Sequence, residues 1–198
     1  MGYRGYEEQI EDLAWYWGHD EIDFDRVTDR IFTGGGIWSM KDVDRLVAVG
    51  VTHVVCAAGE LEELSVRLAG DRLAVLPNGT DDDGEPKSPS WFGRIVRFAL
   101  DALRDPDARV YLHCAAGINR GPSAAYVVLR ALGHSPGEAF GLIKAARSQA
   151  GIIYADSADD AIEALGMAVI ASRTPGERRL TEVGPAANHR GGRRTHIR

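Results

Sequence analysis

The period of the apolar positions changes several times along the chain, and each change marks an element. Ile10, Leu13, Ala14 and Trp17 recur at helical spacing, which predicts a short amphipathic helix over 6–17. The segment RIFTGGG reads as a strand entering a glycine turn at Gly34–Gly36. Ser39 stands where a helix cap belongs, with the helix running through Val49 and ended by Gly50. The run VTHVVCAA is short, β-branched and bounded by glycines, as a buried strand is. A helix over 60–69 and a strand over Leu73–Leu76 follow. Residues 77–90 (PNGTDDDGEPKSPS) predict a long polar loop, and such loops inside domains tend to carry function. Ser90 is expected to cap the amphipathic helix WFGRIVRFALDALR, which stops before Asp105–Pro106. RVYLHC reads as a buried strand that runs into small residues and then a helix through Leu132. Ser135–Pro136 opens a helix to about Ala150, and 157–170 predict a last one.

Strands alternating with helices predict an α/β fold, with a central, mostly parallel twisted sheet flanked by helices on both faces. Ligands in such folds bind at the carboxyl ends of strands, and Cys114 sits at one. The expected organisation is an N-terminal helical extension over 1–21, a catalytic domain over 22–171 and a basic, disordered tail over 172–198.

Charge sharpens this picture. The net charge is −6, but the tail holds seven Arg and two Glu, so it carries +5 and the body −11. An acidic body argues against a nucleic-acid partner, so any anionic substrate must be captured by a local site. No apolar run approaches the ~20 residues that span a bilayer, and the start has no signal-peptide pattern; a cytoplasmic protein without a membrane partner is expected. Two cysteines, Cys56 and Cys114, cannot build a disulfide framework and do not suggest zinc. The question they raise is whether one is a nucleophile.

The segment His113-Cys114-Ala115-Ala116-Gly117-Ile118-Asn119-Arg120 answers it. A strand delivers the cysteine to a tight loop, and the loop feeds a helix whose first turn has unpaired N–H groups. Five small residues between Cys114 and Arg120 can curl so that successive amides point at one phosphate, a phosphate-binding loop (P-loop). Gly117 permits a backbone conformation most residues resist. Arg120 closes the ring with a two-pronged, charge-assisted grip on phosphoryl oxygens. The same amides and helix end stabilise a thiolate at Cys114, and His113 is expected to orient the loop and help depress the thiol pKa. With Arg so abundant, Cys-x5-Arg arises by accident roughly one time in five; adding the preceding His and the Gly lowers this below about one in a thousand.

HCAAGINR resembles the HCxxGxxR signature of cysteine-dependent protein tyrosine phosphatases. The resemblance covers roughly residues 22–150. IDFDRVTDRIFTGG is similar to the opening strands of the small dual-specificity type, and DVDRLVAVGVTHVVCAAGE to their next helix and strand. The Trp-Pro-Asp loop of the larger tyrosine-specific members is absent. The resemblance implies hydrolysis of a phosphorylated protein or other phosphomonoester through a phosphocysteine intermediate, with no metal and no cofactor. Cys114 attacks phosphorus, and an Asp upstream protonates the leaving oxygen and then activates water. Asp82 is the expected acid: it lies 32 positions before Cys114 and opens an Asp-x-x-x-Pro sequence. Asp81 is the runner-up. Repulsion among Asp81, Asp82 and Asp83 is expected to raise the pKa of at least one.

Family members commonly carry Ser or Thr directly after the arginine, where its hydroxyl stabilises the departing thiolate. Here that position is Gly121, and Ser123 is the candidate substitute; slow hydrolysis of the phosphocysteine, or a pseudophosphatase that only binds phosphorylated partners, is the alternative. Asn119 before the arginine is similar to the RNA 5′-phosphatase branch, against which the acidic body argues. Cys56 is read as a small core residue rather than a disulfide partner of Cys114, Glu60 as a solvated helix start rather than a buttress for Arg120, and Arg147 and Gln149 receive no role.

Overall fold

The computed structural model describes residues 22–166. The predicted helix over 6–17 and the basic tail over 172–198 lie outside them. Three serines start helices, as a hydroxyl that satisfies a free amide should. Ser39 and Asp42 form a reciprocal capping box at helix α1 (Met40–Ala48), and Ser135 and Glu138 form another at the helix α5 (Pro136–Ala146). Helix α3 spans Pro89–Ala102, and its cap is Ser88, two residues before the expected Ser90. Pro89 explains the shift: it suits the first helical position, where no N–H is needed. Helix α2 (Glu62–Ala69) follows a 3-10 turn over Gly59–Leu61, helix α4 spans Arg120–Ala131 and helix α6 spans Ala155–Ala164.

Five strands form one sheet: β1 (Phe24–Arg26), β2 (Ile31–Gly34), β3 (His53–Ala58), β4 (Ala74–Thr80) and β5 (Val110–His113). Their spatial order is β1-β2-β5-β3-β4, parallel throughout except for the β1–β2 pair. Strand β5 lies in the middle, with Leu112 opposite both Thr33 and Val55. Its carboxyl end therefore opens into the centre of the sheet's edge, with a loop on either side.

Both faces are covered. Ile31, Val55, Val110 and Leu112 pack against helices α3 to α6 in the larger core, where Phe92, Ile95, Val128 and Leu129 are fully buried. Phe32, Val54 and Tyr111, which alternate with them, pack with Val43 and Leu46 of α1 on the other face. Each such side chain contributes about 1.5–3 kcal/mol by leaving water.

Three boundaries depart from the sequence pattern. Strand β4 continues past Leu76 to Thr80 and takes the first four residues of the expected loop. It is an edge strand, where Pro77 is tolerated, and Pro77 pairs opposite Cys56. Asn78 anchors the extension: Trp91 Nε1–H donates to its carbonyl at 2.7 Å, and its amide donates to the Trp91 carbonyl at 3.2 Å. Helix α5 stops at Ala146 rather than near Ala150, because Arg147 turns inward. The last helix occupies Ala155–Ala164 rather than 157–170.

Candidate active site

The loop from Cys114 to Asn119 joins β5 to α4. Every carbonyl from Ala115 to Asn119 is engaged on its outer side. Ala115 accepts from Gly36 N–H at 2.9 Å, Ile118 from Gly151 N–H at 2.7 Å, and Asn119 from Ser123 N–H at 2.9 Å. Ala116 and Gly117 accept from the Arg147 guanidinium. Among the described residues, no N–H of Ala115 to Asn119 donates to a protein acceptor. Carbonyls turned out and amides left free are what an anion-binding concavity requires. Gly117 has φ +65°, and a Cβ there would lie 2.4 Å from the Gly34 carbonyl carbon, so both conformation and contact require glycine.

Arg147 was invisible as a functional residue in the sequence. It is 1% exposed and bonds Asp23 and Asp25 with the same guanidinium that holds the loop carbonyls. Burial opposes its charge, and the two carboxylates more than restore it. The signal available was only its place after a helix returning toward the site.

Arg120 opens α4 and is nearly buried. Contrary to the solvated reading of Glu60, that carboxylate grips it in two-pronged fashion. Nη2 donates to Oε1 at 2.7 Å and Nη1 to Oε2 at 2.9 Å, while Nη1 also donates to the Thr80 carbonyl at 3.0 Å. The Arg120 bond holds the Glu60 carboxyl below the usual carboxylate range. A guanidinium has five N–H groups, so the donor count leaves Nε–H and one N–H of Nη2, an adjacent fork. Nε is buried without a hydrogen bond. Asp82 Oδ2 lies 3.5 Å from it, close enough for charge attraction but outside hydrogen-bond geometry. A fork with a buried unsatisfied member is suited to a tetrahedral oxyanion.

Cys114 is 1% exposed. Behind it, His113 is fully buried, and its Nδ1–H donates to the Cys114 carbonyl at 3.2 Å. Because a carbonyl can only accept, Nδ1 carries the proton and Nε2 faces the Ser65 hydroxyl at 3.4 Å. Burial pushes the His113 pKa down to about 4, so the ring is neutral at physiological pH. The buried, neutral ring ties the strand end to the loop through the Cys114 carbonyl.

Asp82 reaches over the loop. Besides Arg120, it accepts from Asn119 Nδ2 at 3.4 Å and from the Tyr154 hydroxyl at 2.8 Å. Asp83 points elsewhere and pairs with Lys87, which holds its carboxyl below the usual range. Asp81 is exposed and makes none of these contacts.

The Ser123 hydroxyl is buried but accepts from Tyr154 N–H at 3.3 Å and makes no hydrogen bond to Cys114. A Cβ on Gly121 would lie 3.0 Å from Cys114 N and 3.1 Å from His113, so a side chain there would need the strand end to give by a few tenths of an ångström. Cys56 lies among Trp38, Leu61 and Leu64, its thiol donating to the Ala58 carbonyl at 3.3 Å and pushed up to about 11 by burial. That matches a core residue.

No family model matches the chain. It is 33% identical over 89 residues to mouse dual specificity protein phosphatase 13B, covering 43% of this chain and 45% of the relative. The human protein of that name is 29% identical over 99 residues, covering 48% and 50%. The chain thus spans about half the length of the curated relatives it matches. Among solved structures, PTPMT1 in complex with PI(5)P superimposes with a TM-score of 0.60 at 20% identity, covering 72% of this chain and 98% of that one. PTP-2 phosphatase of Cydia pomonella gives a TM-score of 0.60 at 15% identity, covering 70% and 89%. The chain is thus similar in sequence to dual specificity protein phosphatases over a stretch of 89 to 99 residues, and it shares its fold with solved phosphatase structures.

Proposed function

We propose that the chain is a phosphomonoester hydrolase of the protein tyrosine and dual-specificity phosphatase kind, working through a phosphocysteine intermediate. One observation carries the reading: directly after Cys114 come five consecutive amides, Ala115 to Asn119, with no protein acceptor among the described residues, followed by Arg120, which keeps two N–H groups that Glu60 and Thr80 do not use. The amides of Ala115, Ala116, Gly117, Ile118 and Asn119 bind the three non-bridging oxygens with Arg120. Charge spreads over these oxygens in the transition state, so fixed donors there lower the barrier.

In the first step the Cys114 thiolate bonds to phosphorus as the bond to the leaving oxygen breaks, and Asp82 gives that oxygen its proton. In the second, water attacks the phosphocysteine, Asp82 takes the water proton, and inorganic phosphate leaves with the thiolate restored. A thiolate nucleophile needs a reducing compartment, which supports a cytoplasmic site of action. The substrates proposed are phosphorylated proteins.

A slow second step is supported by Gly121, which has no hydroxyl, and by Ser123, whose hydroxyl is bonded to the Tyr154 amide rather than to Cys114. The test compares wild type with Cys114→Ser on p-nitrophenyl phosphate and on phosphopeptides. Cys114→Ser is expected to retain peptide binding and lose turnover by at least about 10³-fold. Residual turnover within about tenfold of wild type would exclude Cys114 as nucleophile.

A further inference from the structure

We propose that Tyr154 is a positioning residue that fixes the orientation of the Asp82 carboxyl over the Cys114 loop; this rests on the reading of Asp82 as the general acid. Tyr154 precedes α6, directly after Ile152 and Ile153, and Ile152 has a left-handed φ of 51°. That turn sends the Tyr154 ring under the acid loop, where the residue is 1% exposed.

Three groups of the loop meet it. Its hydroxyl lies 2.8 Å from Asp82 Oδ1, Gly84 N–H donates to the same hydroxyl oxygen at 3.2 Å, and Lys87 Nζ sits 4.8 Å from the ring centroid. The Tyr154 amide, in turn, is tied to Ser123 in the first turn of α4. One residue thereby joins the acid loop to the helix that carries Arg120.

The proton positions follow from the donor count. Gly84 N–H can only donate, so the phenol oxygen is its acceptor and the phenol hydrogen is free to point at Asp82. Burial, and after it Asp82, pushes the phenol up to about 12, so it keeps that hydrogen. Asp82 Oδ1 is then the acceptor of the phenol hydrogen, which fixes that side of the carboxyl. The other oxygen, Oδ2, is thereby turned toward Arg120 and Asn119 at the mouth of the loop. The phenol does not touch substrate; it holds the carboxyl in the rotamer that aims this oxygen at the leaving group.

The test is a double-mutant cycle of Tyr154→Phe and Asp82→Ala, read on a series of phosphomonoesters from good to poor leaving groups, with melting temperatures as a folding control. Asp82→Ala is expected to lose more rate as the leaving group worsens. Tyr154→Phe is expected to lose about tenfold in kcat on phenyl phosphate and clearly less on a more acidic leaving group, with KM little changed. In the Asp82→Ala background it is expected to cost nothing further. A loss equal across all leaving groups, or one that persists without Asp82, would overturn the proposal and leave the acid assignment standing. An Asp82→Ala variant insensitive to the leaving group would remove the acid assignment and the proposal together. Independently of turnover, the Gly84 amide is expected to exchange with solvent faster in Tyr154→Phe; unchanged protection would also contradict the latch.

Discussion

Arg120 depends on Glu60 more than its own position suggests. The carboxylate and the Thr80 carbonyl absorb three of five N–H groups and leave the two that face the loop. Removing the charge of Glu60 while keeping its shape should let the guanidinium rotate. Glu60→Gln is expected to reduce kcat/KM by about tenfold, mostly through KM. An unchanged KM would mean that burial alone orients the arginine. His113 makes a different kind of prediction. Its pKa is about 6.5 unfolded and about 4 folded, lowered by burial. Between these values the unfolded chain binds the extra proton, so the stability that neutral His113 contributes is full above pH 6.5 and is lost as pH falls toward 4. The window corresponds to about 3 kcal/mol. Denaturant melts from pH 7 to pH 4 should show that loss, and His113→Gln should flatten it; an equally steep curve in the variant would assign the loss to other groups.

At the scale of elements, the loop and the glycine turn behind it form one unit. Gly117 approaches Gly34, Gly36 donates to Ala115, and Tyr111 donates to the Gly35 carbonyl. Gly117→Ala should therefore cost at least about 2 kcal/mol of stability and abolish phosphate protection against unfolding. Retention of that protection would show that the cup tolerates a Cβ and is shaped otherwise. The sequence pattern identified this loop because its requirements are local: a strand, small residues, a glycine, an arginine at fixed spacing. It singled out Asp82 as the proposed acid only through a family spacing that three neighbouring aspartates blurred. Contacts that distinguish them, from Tyr154 and Asn119, come from residues 72 and 37 positions away. Arg147 was missed for the same reason, and Glu60, weighed as a buttress for Arg120, was read as solvated because nothing local to it decides between the two. Strand β4 was cut short at Leu76 because Pro77 and Gly79 read as loop, whereas an edge position and the Asn78–Trp91 bonds keep them in the sheet.

Taken as a whole, the molecule places a loop of small, uncharged residues at the mouth of its central strand and sets charged groups from Arg120, Glu60, Asp82 and Arg147 around it. The alternation of strand and helix sufficed to predict this architecture, because each βα unit buries its apolar face in only one way. Among the described residues, no helix is long and apolar enough to cross a membrane. The acidic body gives no long-range attraction to a phosphate, so the capture proposed above would rely on the loop itself, and the proposed chemistry stands or falls on a covalent bond to sulfur. Rapid acid quench of the full chain mixed with excess p-nitrophenyl phosphate tests this most directly. The account predicts a burst of nitrophenol approaching one per protein, with phosphate attached to Cys114 in the quenched protein and none in Cys114→Ser. Steady hydrolysis with no phosphate on Cys114 at any time would contradict it.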